Sequence, residues 1–275
     1  MAEDYLTPLS IPDGSSGEYS IRRFSYPAGH VFELAHLEHR ILGRQESGKV
    51  SWPHATYWHE LNQGGVRWML DTPHEQAQHY KSLHGFRGDV LVAGLGIGFA
   101  ASVLAMRPEV NSVTVVEVSK DVIRLVAPHV REPHKIKVVN NDAMAFLRDQ
   151  KCHFDFAFFD IWINQTAEVL TDVVCPLREL ARGKVSHTPT CWNEDVMRGD
   201  VRRKLGLLRS EREHPGIYTP TPMPLWASPF FSWHDKAKPT IGDSANAIEF
   251  YSSILGLTGW GDRWIDFCSN FTDRN

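Results

Sequence analysis

The chain has 275 residues, a formal net charge of −4, 42% hydrophobic residues and 23% charged residues. This composition predicts a globular protein with a sizeable core, and it provides no overall positive field that would attract nucleic acid or an anionic membrane. We find no apolar run near the roughly 20 residues of a membrane helix, no secretory signal at the start and no Cys-x-x-Cys pair. We therefore expect a cytoplasmic protein that acts on a small-molecule substrate and holds no metal.

Residues 1–71 are predicted to form a small α+β subdomain, because they mix aromatic and β-branched residues with turn signals. The candidate strands cover residues 19–26, 55–61 and 66–70. The sequence Asn62-Gln63-Gly64-Gly65 is typical of a hairpin connection between the last two strands. Apolar residues at helical spacing predict a helix over residues 31–42, ending before Gly43.

Residues 72–208 alternate short apolar runs with amphipathic stretches. Thr72 is a candidate N-cap for a first helix, with Glu75 at the capping-box position. Four β–α units follow, with strands predicted over 89–93, 112–118, 136–140 and 154–160 and helices over 97–106, 120–127, 143–149 and 165–181. Consecutive units of this kind predict a doubly wound, Rossmann-like and mostly parallel sheet.

The pattern weakens after Gly183, where a fifth strand over 184–190 and a helix over 193–208 are predicted. Residues 209–275 are proline-rich and are predicted to form an irregular C-terminal extension with one further helix, over 245–255. Its tryptophan and phenylalanine residues either pack over the sheet or form an interface between copies in a homo-oligomer.

The strongest local signal is the turn Gly94-Leu95-Gly96-Ile97-Gly98 between a buried strand and a helix. Glycines allow a tight turn and a close approach of the backbone to a ligand. A dinucleotide fingerprint would place its third glycine where this chain has Phe99. The pattern therefore favours a nucleoside that lacks a pyrophosphate, although such turns also occur for purely structural reasons.

Carboxylates follow the next three predicted strands. Glu117, followed by Val118, ends the second strand about 20 residues after the glycines, where a carboxylate can accept both ribose hydroxyls. Asp142, followed by Ala143, can accept from an adenine amino group or can N-cap the next helix. Asp160 ends the fourth strand, so all four strand ends are expected to meet at the crevice where open α/β sheets bind ligands.

Through the glycine turn and these carboxylates, segment 84–165 resembles a class I S-adenosylmethionine (SAM)-dependent methyltransferase, and more narrowly the spermidine synthase-like branch. The resemblance implies a role for each of the matched positions. Glycines 94, 96 and 98 would line the methionine moiety. The ribose would bind Glu117, the adenine would bind Asp142, and the transferring group would face Asp160, with Leu95, Val118 and Ala143 completing the cofactor site.

The sequence departs from aminopropyltransferases at three positions. Ile97 replaces the acidic residue of the glycine turn, Gln78 stands at a tyrosine position, and no second aspartate follows Asp160. We therefore predict a SAM-dependent methyltransferase of unknown acceptor, in which Asp160 and His79 are the candidate proton acceptors. An aminopropyltransferase that uses decarboxylated SAM and a non-catalytic Rossmann-like binding protein are the alternatives.

Overall fold

The computed structural model describes residues 9–34, 49–149 and 153–213, with side chains up to residue 204. Within these residues the chain forms two compact units. The first contains the described residues up to 163 together with Pro176–Trp192, and the second contains Asn164–Cys175 and the residues from Asn193 onward. The predicted division at residues 71 and 208 stays a prediction. None of the described helices is both long and apolar enough to cross a membrane.

An antiparallel sheet opens the first unit. The described strands before the first helix are β1 (Gly14–Ser16), β2 (Tyr19–Tyr26), β3 (Phe32–Glu33), β4 (Lys49–Val50), β5 (Thr56–Gln63) and β6 (Val66–Leu70). Four of them form one sheet in the order β1-β2-β5-β6, while β3 pairs with β4. Gly64 and Gly65 connect β5 to β6 and both have positive φ, as a type I′ hairpin turn requires.

The prediction of a helix over residues 31–42 is wrong at its start. Phe32 lies in β3, pairs with Val50, and packs edge-on against the rings of Trp52 and Trp58. Aromatic packing against the sheet therefore overrides the helical spacing of the apolar residues. Residues 35–48 lie outside the described part of the chain.

The second sheet of the first unit is parallel. Its strands are β7 (Gly88–Ala93), β8 (Val110–Glu117), β9 (Ile136–Asn140), β10 (Phe156–Phe159) and β11 (Thr190–Cys191), in the order β11-β10-β7-β8-β9. The described α-helices are α1 (Pro73–Ser82), α2 (Phe99–Ala105), α3 (Lys120–Val126), α4 (Ala143–Asp149), α5 (Ala167–Val169), α6 (Cys175–Ala181) and α7 (Glu194–Glu213). This arrangement confirms the predicted α/β class, and strand order reverses between β7 and β10.

Several predicted boundaries change. The fifth strand is only the two-residue β11, and within the predicted segment 184–190 Val185 forms an isolated bridge with Phe154. The predicted helix over 165–181 begins at Ala167 and contains a π-helical turn, Leu170–Val174, between α5 and α6. The predicted helix 245–255 and the aromatic residues of the C-terminal extension lie outside the described residues.

The capping box at the start of α1 does not form. The Thr72 hydroxyl makes no cap hydrogen bond, although Thr72 is the N-cap residue. The carboxylate of Glu75 instead accepts from the N–H of Leu70 at 3.4 Å, because it turns toward the end of β6. This change directs Glu75 toward the candidate functional site.

Candidate functional site

The carboxyl ends of β7, β8, β9 and β10 lie side by side at one edge of the parallel sheet. Backbone hydrogen bonds join the segments that follow these strands. The N–H of Asp160 donates to the carbonyl of Ala93 at 2.9 Å, and the N–H of Asn141 donates to the carbonyl of Glu117 at 3.2 Å. The structure therefore brings the glycine turn and the three predicted carboxylates to a common edge.

Glu117 connects the glycine turn to the end of β8. Its side chain is nearly buried, at 8% exposure. One carboxylate oxygen accepts from the N–H of Leu95 and the other from the N–H of Ser119, both at 2.8 Å. A carboxylate has about four acceptor positions, so these two bonds leave capacity for two ribose hydroxyls.

The neighbours of Glu117 provide an apolar face and a second acceptor. Val118 is 61% exposed and directly follows Glu117. Asp142 is exposed, and its Oδ1 accepts from the N–H of Ala145 at 2.8 Å, so the N-cap interpretation is correct. This bond uses one carboxylate oxygen, and a role toward adenine stays a prediction. Ala143 is buried and begins α4.

The glycine turn is shaped by contacts inside the protein. Gly94 has φ of 95°, and a Cβ there would lie 2.2 Å from the carbonyl oxygen of Asp160. Gly96 has φ of 52°, and a Cβ there would lie 2.4 Å from the sulfur of Met69. Any side chain at either position would therefore be strained and obstructed. Gly98 is the N-cap residue of α2.

The residues between the glycines contribute their backbone. The side chains of Leu95 and Ile97 are both buried in the core. Ile97 stands where aminopropyltransferases carry an acidic residue, and its side chain is fully buried. The turn therefore carries no carboxylate.

His79 and Asp160 form a close pair. His79 Nε2 lies 3.4 Å from Asp160 Oδ2, while His79 Nδ1 lies 2.9 Å from the carbonyl oxygen of Glu75. Because a carbonyl oxygen only accepts hydrogen bonds, Nδ1 carries its hydrogen. Nε2 is therefore the ring nitrogen that faces the Asp160 carboxylate.

His79 and Asp160 differ in their exposure to solvent. The His79 side chain is 2% exposed and the Asp160 side chain is 19% exposed. The ring of His79 also stacks on the ring of Trp192, with centroids 4.0 Å apart. Asp160 is therefore placed to meet a ligand, whereas His79 would act through it. The catalytic roles themselves stay predictions.

Glu75 adds a second carboxyl group beside His79. Burial raises the pKa of Glu75 from its ordinary 4.5 to about 7; His79 and the Leu70 N–H oppose this rise, and the charges of Asp160 and Asp71 add to it. The Glu75 carboxyl is therefore partly protonated near neutral pH. Its raised pKa was not predicted from the sequence.

A buried His59–Asp71 pair fixes the junction between β6 and α1. His59 Nδ1 lies 2.7 Å from Asp71 Oδ2, and His59 Nε2 lies 2.9 Å from the carbonyl oxygen of Ile11. Both side chains of the pair are almost completely buried. The pair therefore holds the segment that carries Met69 and Glu75 in place.

Sequence reasoning missed Met69 and Trp192 as members of this region. Trp162 belongs to the core, since it is buried and its indole N–H donates to the carbonyl of Trp192 at 3.2 Å. The only sequence signal for Met69 was its place just before the predicted helix α1.

No protein-family model and no curated protein matches this sequence. Among solved structures the chain is similar to a spermidine synthase from Thermotoga maritima, at 15% identity over 70% of this chain, with a TM-score of 0.39. It is also similar to a spermidine synthase in complex with the transition state analogue AdoDATO, at 17% identity over 64% of this chain, with a TM-score of 0.38.

A third similar structure is the N-terminal domain of EvdMO1 with SAH bound, at 22% identity over 38% of this chain, with a TM-score of 0.27. The matches span 61%, 54% and 42% of the three solved chains. This chain therefore matches less than two thirds of the length of each.

Proposed function

We propose that this protein is a SAM-dependent methyltransferase with a small-molecule acceptor. The observation that carries the proposal is the common edge formed by the glycine turn, Glu117, Asp142 and Asp160. At this edge a buried carboxylate with spare acceptor capacity lies beside an exposed apolar side chain, Val118. Ribose hydroxyls and a purine face have complementary chemistry, so the residues present fit the adenosine part of the cofactor.

The proposed division of work follows from the position of each residue. Glu117 would hold the ribose, Val118 would contact the purine, and Asp142 would accept from its amino group. The backbone of the glycine turn would meet the methionine part. SAM supplies a methyl group activated on a sulfonium, so the protein's main task is to align the acceptor and exclude water.

Asp160 would take the proton that the acceptor loses. It is the accessible member of its pair with His79, and His79 Nδ1 is already fixed by the Glu75 carbonyl. His79 would therefore orient Asp160 and stabilise its charge. Burial of His79 under Trp192 prevents it from contacting the acceptor directly.

A two-part experiment tests the proposal. Calorimetric titration with S-adenosylhomocysteine (SAH) measures binding, and transfer of label from methyl-labelled SAM to a small-molecule extract measures activity. We expect the wild-type protein to do both, and Asp160→Asn to bind SAH with little change while losing most transfer. Full transfer by Asp160→Asn would contradict the role of Asp160. Binding without any transfer would favour a non-catalytic binding protein.

An aminopropyltransferase is the second candidate, and the carboxyl groups near His79 favour it. Glu75 and Asp160 both lie beside this ring and could neutralise an amine. The glycine turn, however, carries no carboxylate to hold an aminopropyl amine, because position 97 is an isoleucine, whose side chain is buried. We therefore expect SAM to bind more tightly than decarboxylated SAM in calorimetry, and the opposite order would reverse this ranking.

A further inference from the structure

The side chain of Met69 lies directly against the glycine turn. Strand β6 delivers it there, and the N–H of Ile97 donates to its sulfur at 3.2 Å. The same sulfur occupies the space that a Cβ on Gly96 would need. Met69 therefore covers the part of the turn that the proposed function assigns to the methionine moiety of the cofactor.

The hydrogen bonds of the turn differ in the strength of their acceptors. The N–H of Gly94 donates to the carbonyl of Val116, and the N–H of Gly98 donates to the carbonyl of Leu95. The N–H of Leu95 donates to the Glu117 carboxylate. These three donors have oxygen acceptors.

The N–H of Ile97 has a thioether sulfur, which is a weak acceptor. A ligand carboxylate is a much stronger acceptor, because charge-assisted hydrogen bonds are about twice as strong as neutral ones. Among the N–H groups of this turn that donate to a protein acceptor, that of Ile97 is therefore the one that passes most readily to a ligand.

Met69 is also suited to leaving its position. Methionine is unbranched and has three rotatable side-chain bonds, so it adopts alternative positions at small cost. The side chain is only half-buried and belongs to a hairpin strand whose other side chains are half-buried or exposed. Its contact with the turn therefore does not depend on a closely packed core.

We propose that Met69 is a displaceable plug that determines how tightly the protein binds a carboxylated ligand. When the ligand binds, the Met69 side chain moves away from Gly96, and the ligand carboxylate accepts the hydrogen bond from the N–H of Ile97. This inference rests on the proposed function, because it assigns the methionine part of SAM to the glycine turn. A ligand without the amino-acid part does not require the plug to move.

Calorimetry with two ligands tests this inference. SAH has the amino-acid carboxylate, whereas 5′-methylthioadenosine has the same nucleoside without it. The variants are Met69→Ala, which removes the plug, and Met69→Leu, which retains apolar bulk and removes the sulfur acceptor. The matched control is Met106→Ala, at a 42% exposed methionine following α2, on the opposite end of that helix from the turn.

We expect Met69→Ala to bind SAH about three- to tenfold more tightly than the wild type, because one weak hydrogen bond no longer competes. Met69→Leu should show part of this gain, and it preserves the test if the alanine variant fails to fold. Both variants should bind 5′-methylthioadenosine within about twofold of the wild type, and Met106→Ala should match the wild type with both ligands.

The failures of the two proposals are distinguishable. If the wild type binds SAH and both Met69 variants bind it with unchanged or lower affinity, the plug alone is overturned. Equal tightening for both ligands also overturns it, since the carboxylate would then have no part. No binding of SAH or of 5′-methylthioadenosine by any of these proteins overturns the cofactor proposal and the plug together.

Discussion

Replacing Glu75 with glutamine should change how the stability of the protein depends on pH. The folded-state pKa of Glu75 is about 7, raised by burial from its ordinary 4.5. Between these two values the folded protein keeps the proton while the unfolded chain releases it. The free energy of unfolding of the wild type therefore falls as pH rises through this interval, because the proton stabilises the folded state.

The magnitude follows from linkage. Each pH unit in this interval changes the free energy of unfolding by about 1.4 kcal/mol for one proton, so the whole interval amounts to at most about 3 kcal/mol. Glutamine resembles the protonated acid, can still accept from the N–H of Leu70, and cannot ionise. We therefore expect Glu75→Gln to be more stable than the wild type by up to about 3 kcal/mol at pH 8, relative to their difference at pH 4.5.

Urea unfolding at several pH values between 4.5 and 8 measures this effect. Subtracting the free energy of unfolding of the wild type from that of the variant at each pH removes the contributions of other titrating groups. Glu109→Gln, at an exposed carboxylate before β8, is the control for loss of one negative charge. Parallel stability profiles for the wild type and Glu75→Gln would refute the buried, partly protonated carboxyl.

Three further predictions follow from the same structure. Glu117→Ala should weaken SAH binding by about 1–3 kcal/mol in calorimetry, because a buried acceptor is lost; Glu117→Gln is the milder control, and wild-type titration curves for the alanine variant would contradict the site. Gly96→Val should weaken SAH binding strongly and lower the melting temperature, since its Cβ meets the sulfur of Met69 and its φ is 52°; Met69→Ala added to it should recover part of the melting temperature, and no recovery would count against the contact. Asp200→Ala should destabilise the second unit by about 1–2 kcal/mol in urea unfolding, because the Asp200 carboxylate accepts from the N–H of Ala167 at the start of α5, whereas unchanged unfolding would show that this bond contributes nothing.

The parallel sheet was predictable because its signals are local in sequence. The run from Val90 to Ala93 is fully buried and leads into glycines, which is typical of a central strand and its turn. The positions of Glu117, Asp142 and Asp160 follow from the rule that parallel strands end at the same edge. These inferences required no knowledge of side-chain contacts.

The remaining features depend on contacts between distant residues. Met69 and Ile97 are 28 positions apart, and only the packing of the β5–β6 hairpin brings them together. The raised pKa of Glu75 likewise arises from burial. At Phe32, contacts with Trp52 and Trp58 favour a strand, although the spacing of the apolar residues predicts a helix. No pattern within a short window contains this information.

The strand order also affects how the chain can assemble during synthesis. β7 lies at the centre of the parallel sheet, but its partner on one side, β10, comes more than 60 residues later and only after β8 and β9. Until residues 156–159 have been made, one flank of a strongly apolar strand has no β10 to pair with. A nascent or truncated chain that stops near residue 150 would thus leave the β10 side of β7 open to pairing with other chains, so we expect shortened versions of this protein to self-associate.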